Sequence, residues 1–158
     1  MQFREMGKTG IMVSVLGFGA MRMPTLEGSD KVNVEAAVNM IRGSIDGGIN
    51  YLDTANPYND MPRLLDEQLA NLEIDCIDFY LLYSLTSDYV ESKIKLDYKF
   101  FLLDARDAGK IKYMGLSFHD NLELFKEIVD DFEWDFCQIQ LNFMNEENHR
   151  TLRKGRVI

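Results

Sequence analysis

The sequence predicts a parallel α/β fold, and three observations predict it. Apolar strand-like runs and helical segments alternate along the chain, the pattern of strand–helix–strand units with right-handed crossovers. The run Ile77-Asp78-Phe79-Tyr80-Leu81-Leu82-Tyr83 is nearly all apolar, as in a strand covered on both faces. Gly47-Gly48 and Gly109-Lys110 each stand between a helical stretch and a strand, where helices end.

The elements follow in order. Gln2–Glu5 and Ile11–Val13 flank Gly7-Lys8-Thr9-Gly10 and read as a hairpin. Val15–Gly19 reads as a short buried strand. A loop through Pro24 and Gly28 leads to a helix from Val32 to Asp46. Its stripe is Ala37, Met40, Ile41, Ser44 and Ile45. Ile49–Asp53 is the next strand. A helix spans Pro62–Leu72, with Asn59 or Asp60 as cap and Leu64, Leu65, Leu69 and Leu72 buried. After strand Ile77–Tyr83, residues 84–98 are polar and carry no clear pattern. Phe101–Ala108 reads as a helix and Ile111–Leu116 as a strand. Asp120 with Glu123 three residues on resembles a capping box for a helix through Val129. Phe136–Leu141 reads as a strand, Glu146–Lys154 as a helix, and Val157-Ile158 as the start of another strand. No linker composition interrupts the chain, so residues 1–158 read as a single domain.

At 158 residues the chain can bury about 70% of its unfolded surface. An apolar share of 46% and a charged share of 27% belong to a globular protein. The net charge of −9 argues against nucleic acid and anionic membranes, which reward clustered Lys and Arg. No signal segment and no long apolar run is present. Cys76 and Cys137 begin apolar strands and read as buried, reduced thiols. The expected localisation is cytoplasmic.

In parallel α/β folds chemistry collects at the C-terminal ends of strands. The first strand ends in Gly17-Phe18-Gly19-Ala20-Met21-Arg22. A dinucleotide fingerprint needs glycine where Arg22 stands, so a tight turn is the plainer reading. The second ends in Asp53, with Tyr58 beyond it. A carboxylate beside a phenol can tune a proton donor. Taken singly, they are a strand-end cap and a loop aromatic. Tyr83 ends the third strand and suits a rim tyrosine. The fourth carries Ser117 and leads to His119, each readable as a turn residue. The fifth carries Gln138 and Gln140 on one face and leads to Asn142. Glutamines facing inward are costly unless paired, which favours a polar ligand or network.

Taken together, Gly17–Arg22, Asp46–Ala55, Asp78–Leu82 and Gly109–Ser117 give the chain its resemblance to the aldo-keto reductases. It is particularly similar to the bacterial and archaeal branch that often carries a C-terminal iron–sulfur segment. The likeness runs from Phe3 to about Asn145. It implies a (β/α)8 TIM barrel binding NADP(H) at its C-terminal face, with hydride passing to the carbonyl carbon of a small substrate. Carried over by position, Asp53 is the catalytic aspartate and Tyr58 the proton donor. Tyr83 stands where the family has its histidine. Ser117 and Gln138 match carboxamide-holding positions, with Phe118 where many members have asparagine. Gly19, Ala20 and Met21, with Asp53, would line the nicotinamide pocket. No metal is implied, and no iron–sulfur cysteine cluster is present.

The chain departs from the family pattern. It passes from Tyr58 almost directly into the helix that follows the family's third strand, so the catalytic lysine has no counterpart. The seventh and eighth strands are also missing. The expected architecture is therefore a truncated, partial barrel of about five parallel strands with an N-terminal hairpin, open rather than closed. Two functional readings follow. One is an NADP-dependent carbonyl reductase impaired by these losses. The other is an inactive remnant or pseudoenzyme acting as a binding or oligomerising module, a homo-oligomer joined through exposed sheet edges.

Overall fold

The computed structural model describes residues 1–54, 61–85, 97–118 and 120–139. The caps Asn59 and Asp60, the tract 86–96, and the elements predicted beyond residue 139 lie outside these residues. Two compact units emerge: Met1–Met6 with Gly10–Asn56, and Gly7–Thr9 with Pro57–Ile158. Among the described residues no helix is long and apolar enough to cross a membrane.

The smaller unit opens with the predicted hairpin. Strands β1 (Phe3–Glu5) and β2 (Met12–Ser14) pair antiparallel, with Phe3 opposite Ser14. Strand β3 is only Phe18–Gly19. Val15 and Leu16, predicted to be buried strand residues, are 58% and 60% exposed. The chain there is tied down by polar bonds rather than by an apolar ladder. Ser14 Oγ donates to the Leu16 carbonyl at 2.8 Å.

Helix α1 (Val34–Asp46) starts two residues later than predicted. Asn33 caps it, its side-chain oxygen accepting from the Ala36 amide at 3.1 Å. Of the predicted stripe, Ala37 is buried while Met40 and Ile45 are exposed. Gly48, at φ +92°, takes the left-handed turn that ends the helix. Strand β4 (Leu52–Asp53) then runs parallel to β3, Phe18 beside Leu52 and Gly19 beside Asp53.

In the larger unit, α2 (Met61–Leu72), β5 (Ile77–Leu85), α3 (Tyr98–Asp107), β6 (Ile111–Phe118), α4 (Leu122–Asp130) and β7 (Phe136–Ile139) alternate as predicted. The sheet order is β5-β6-β7, all parallel. Two helix starts differ from the sequence reading. Helix α3 begins three residues early because Asp97 caps it, accepting from the Phe100 amide at 3.3 Å. Asn121, not Asp120, caps α4, accepting from the Leu124 amide at 3.0 Å. Both residues are good caps.

The two faces of this sheet divide the labour. On one, Tyr80, Leu82, Met114, Leu116 and Phe118 belong to a buried cluster with Leu65 and Leu69 of α2, Leu102 and Ala105 of α3, and Phe125 and Ile128 of α4. Each fully buried side chain of this size contributes about 1.5–3 kcal/mol. Leu72, predicted to be buried, is exposed. Trp134 closes the cluster, stacked 6.1 Å from Tyr98 and donating from Nε1 to the Ile128 carbonyl at 2.9 Å. On the other face an aromatic layer forms. Phe79 stacks on Tyr113 at 5.4 Å and meets Phe136 edge-on at 5.3 Å. Gly115, between them in register, leaves room for the Phe136 ring.

Gly7–Thr9, the tip of the hairpin, belongs to this larger unit. The Lys8 amide donates to the Asp135 carbonyl at 3.0 Å, and the Tyr113 hydroxyl donates to the Thr9 carbonyl at 3.1 Å. Asp135 also fixes the entry into β7, its carboxylate accepting from the Met114 amide at 2.8 Å. Cys76 and Cys137 are free thiols but half-buried rather than buried. Burial pushes the Cys137 thiol up from its ordinary value.

Candidate active site

Strand alternation in the larger unit stacks a polar layer above the aromatic one. Gly115 and Ser117 share one face of β6, and their partners Phe136 and Gln138 share the same face of β7. Moving toward the C-terminal ends of the strands, the pair Gly115–Phe136 gives way to Ser117–Gln138. The predicted carboxamide-holding residues are therefore neighbours in register on adjacent strands. Directly opposite side chains on such strands lie about 5 Å apart, so both can reach one small polar group. Ser117 is buried and Gln138 half-buried. The Ser117 hydroxyl lies 3.5 Å from the Leu82 carbonyl.

Tyr83 follows at the end of β5. Phe79 pairs with Tyr113 and Leu81 with Gly115, so alternation puts Tyr83 on the face that carries Ser117. There the ladder breaks step. Leu82 pairs with Leu116 but Leu85 pairs with Phe118, which places a bulge at Tyr83–Ser84. A bulge bends the strand and re-aims a side chain, and bulges are common beside active sites. Tyr83 is 46% exposed.

The smaller unit holds the other predicted residues. At the C-terminal ends of β3 and β4, Gly19 is in register with Asp53, and the Ala20 amide donates to the Asp53 carbonyl at 2.8 Å. This bond fixes the turn Gly19-Ala20 against the strand that carries the carboxylate. Asp53 is half-buried, whereas Met21 is 86% exposed. Tyr58, His119 and Gln140 lie outside the described residues.

Two residues of this unit escaped the sequence reading. Asn50 anchors the strand from below: Oδ1 accepts from the Ser14 amide at 2.7 Å and Nδ2 donates to the Met12 carbonyl at 3.0 Å. Tyr51 precedes Asp53 by two positions. Burial first, and the charge of Asp53 second, push the Tyr51 phenol up to about 12. The signal for Tyr51 was its i, i+2 spacing from a carboxylate on an extended segment. Nothing in the sequence marked Asn50.

Comparison with known proteins gives the following. The model of the Aldo/keto reductase family matches residues 59–155, more than half of the chain. No curated protein sequence matches it. Among solved structures, the aldo-keto reductase AKR11C1 from Bacillus halodurans in its holo form aligns with a TM-score of 0.71 at 20% identity, over 99% of this chain and 64% of that one. Its apo form aligns at 0.68 and 24% identity, over 99% and 62% of the two chains. The thermostable aldo-keto reductase Tm1743, solved with the inhibitor epalrestat, aligns at 0.76 and 20% identity, over 99% and 70%. At these identities the likeness is one of fold. This chain spans a little under two thirds of the length of the first of these structures.

Proposed function

This chain belongs to the aldo/keto reductase family, and we propose that it acts as an NADP-dependent carbonyl reductase, residues 1–158 working as one cytoplasmic domain. The observation that carries the reading is the side-by-side placement of Ser117 and Gln138 at the C-terminal ends of β6 and β7. A hydroxyl and a side-chain amide at one height supply the donor and acceptor that a ring carboxamide needs.

When bound, the dihydronicotinamide supplies the hydride. The chain's own residues supply the rest. Ser117 and Gln138 would hold its carboxamide. Gly19 would leave an edge without a side chain beside Asp53. Tyr58 gives its proton to the carbonyl oxygen, and Asp53 sets the electrostatics around it. Tyr83 donates a hydrogen bond to the same oxygen. No lysine stands between Tyr58 and Tyr83 to tune the phenol. Turnover is then slow, about 10²–10⁴ below a fully tuned general acid.

Titration of the full chain with NADPH by fluorescence tests the proposal. We expect saturable binding that weakens about tenfold or more in Gln138→Ala and Ser117→Ala, the loss of a hydrogen bond worth about 1.5 kcal/mol. Absence of binding at millimolar NADPH would favour the second reading, an inactive remnant.

A further inference from the structure

We propose that helix α1 is a self-association surface, on which a second copy of this chain lays its own α1 in the opposite direction. The proposal concerns the smaller unit alone and stands whether or not the chain reduces anything.

Two stripes run along α1. Ala37, Ile41 and Ser44 are buried or half-buried and form the inner one. Val34, Val38 and Ile45 are exposed, Val34 by 69%. With Ile41 at its edge, this second stripe steps by four, three and four residues. At about 100° per residue its members fall within about 60° of arc. That is the spacing with which two helices pack along a shared seam. All four are β-branched, already stiff in a helix, so packing them costs little further freedom. A single exposed apolar side chain is ordinary, but an aligned row of them marks a surface built for contact.

The charges beside the stripe select the occupant. Glu35 and Arg42 are exposed on one flank, and neither forms an ion pair among the described residues. Seven residues apart, they are separated by about 10 Å of rise, too far to meet each other. An inverted copy changes that. Turning α1 end for end sets Val34 beside Ile45 of the second copy, and Val38 beside its Ile41. The same inversion brings Glu35 of each copy toward Arg42 of the other, two opposite-charge contacts made by one two-fold axis. A parallel pairing keeps equal numbers level, so neither charge meets its opposite. The flank is therefore complementary to itself in one orientation only. A seam of four side chains per copy lies below the roughly 1,200 Å² of stable complexes, so the dimer is weak and concentration-dependent.

The test is sedimentation equilibrium of the full chain at low salt, up to about 1 mM, where even weak association registers. A monomer–dimer equilibrium is expected. Val38→Lys places a charge in the seam at a position already open to solvent, and should abolish the dimer with the helical circular dichroism unchanged. Glu35→Arg and Arg42→Glu should each weaken dimerisation, by about three- to tenfold, since exposed charge pairs are individually modest. The two reversals together should restore it, which simple damage to the helix would not do. If Val38→Lys loses helix, the charge reversals decide. Orientation is read by oxidative cross-linking, with the wild-type chain as the control for Cys76 and Cys137. A mixture of Val34→Cys and Ile45→Cys chains should link, and Val34→Cys alone should not. A chain that stays monomeric at about 1 mM overturns the proposal. So does a dimer that survives Val38→Lys, a double reversal that restores nothing, or Val34→Cys linking to itself as readily as in the mixture.

Discussion

The ring of Phe136 fills the space that a side chain on Gly115 would occupy. A Cβ there would stand 2.4 Å from the ring's Cζ, and Phe136 is among the most buried residues of the chain. The ring cannot retreat, because Phe79 packs against it edge-on. Gly115→Ala should therefore destabilise the larger unit by about 1–3 kcal/mol, as overpacking does. Urea unfolding should show a lower midpoint with an unchanged slope. An unaltered midpoint would show that the aromatic layer is loose.

Gly7 presents a harder limit. Its φ is +54°, and a Cβ would lie 2.2 Å from the Asp135 carbonyl oxygen. Backbone, not a flexible side chain, is in the way. Gly7→Ala should cost at least about 1–3 kcal/mol and should break the Lys8–Asp135 bond. Hydrogen exchange at the Lys8 amide reports that bond directly, and retained protection in the variant would contradict the assignment.

Asn50 makes two side-chain bonds into β2, and Ser14, whose amide donates one of them, is buried. Asn50→Ala orphans the Ser14 amide and should cost about 1–3 kcal/mol. Asn50→Asp keeps an acceptor for that amide and loses only the donor to Met12. It should cost less in thermal unfolding. Equal losses would mean that the Met12 bond is the important one.

Tyr80 fixes a pH dependence. Burial raises its phenol from 10.0 to about 12. Below pH 10 it is protonated in both states and its contribution is fully present. Between about 10 and 12 the unfolded chain ionises while the folded one holds its proton. Stability therefore falls as pH rises through that window, by about 2–3 kcal/mol from this residue. Tyr80→Phe should flatten the slope of stability between pH 10 and 12. An equally steep slope in the variant would assign the effect elsewhere, for instance to Tyr98, which burial and Asp131 also raise to about 12.

Much of this molecule was legible in its sequence, and the reasons differ by element. The runs at Phe79–Leu82 and Ile111–Leu116 announced parallel strands because burial on both faces leaves only apolar residues. Ser117 and Gln138 were legible as polar residues on such strands, and family likeness gave them a role. Val15 and Leu16 misled because an apolar pair does not say whether a neighbour covers it. The cap of α4 slipped by one because Asp120 and Asn121 have equal local chemistry. Gly115 read as part of a motif, with no hint that it makes room for a ring on another strand. Asn50 was silent because its partner, Ser14, lies 36 residues away, and no local pattern reports such a pairing.

The hairpin tip also sets an order of events. The Tyr113–Thr9 bond joins residues 104 positions apart, and Gly7 and Lys8 meet Asp135, further along still. During synthesis Gly7–Thr9 emerge long before β6 and β7. Their full set of partners in the larger unit exists only once Asp135, in the last fifth of the chain, is made. The larger unit closes last on its earliest piece, and closure of so long a loop carries an entropy cost that grows only with the logarithm of its length. A cut or an insertion at Gly7–Thr9 would thus be felt not only where it is made but at the strands that fold at the end.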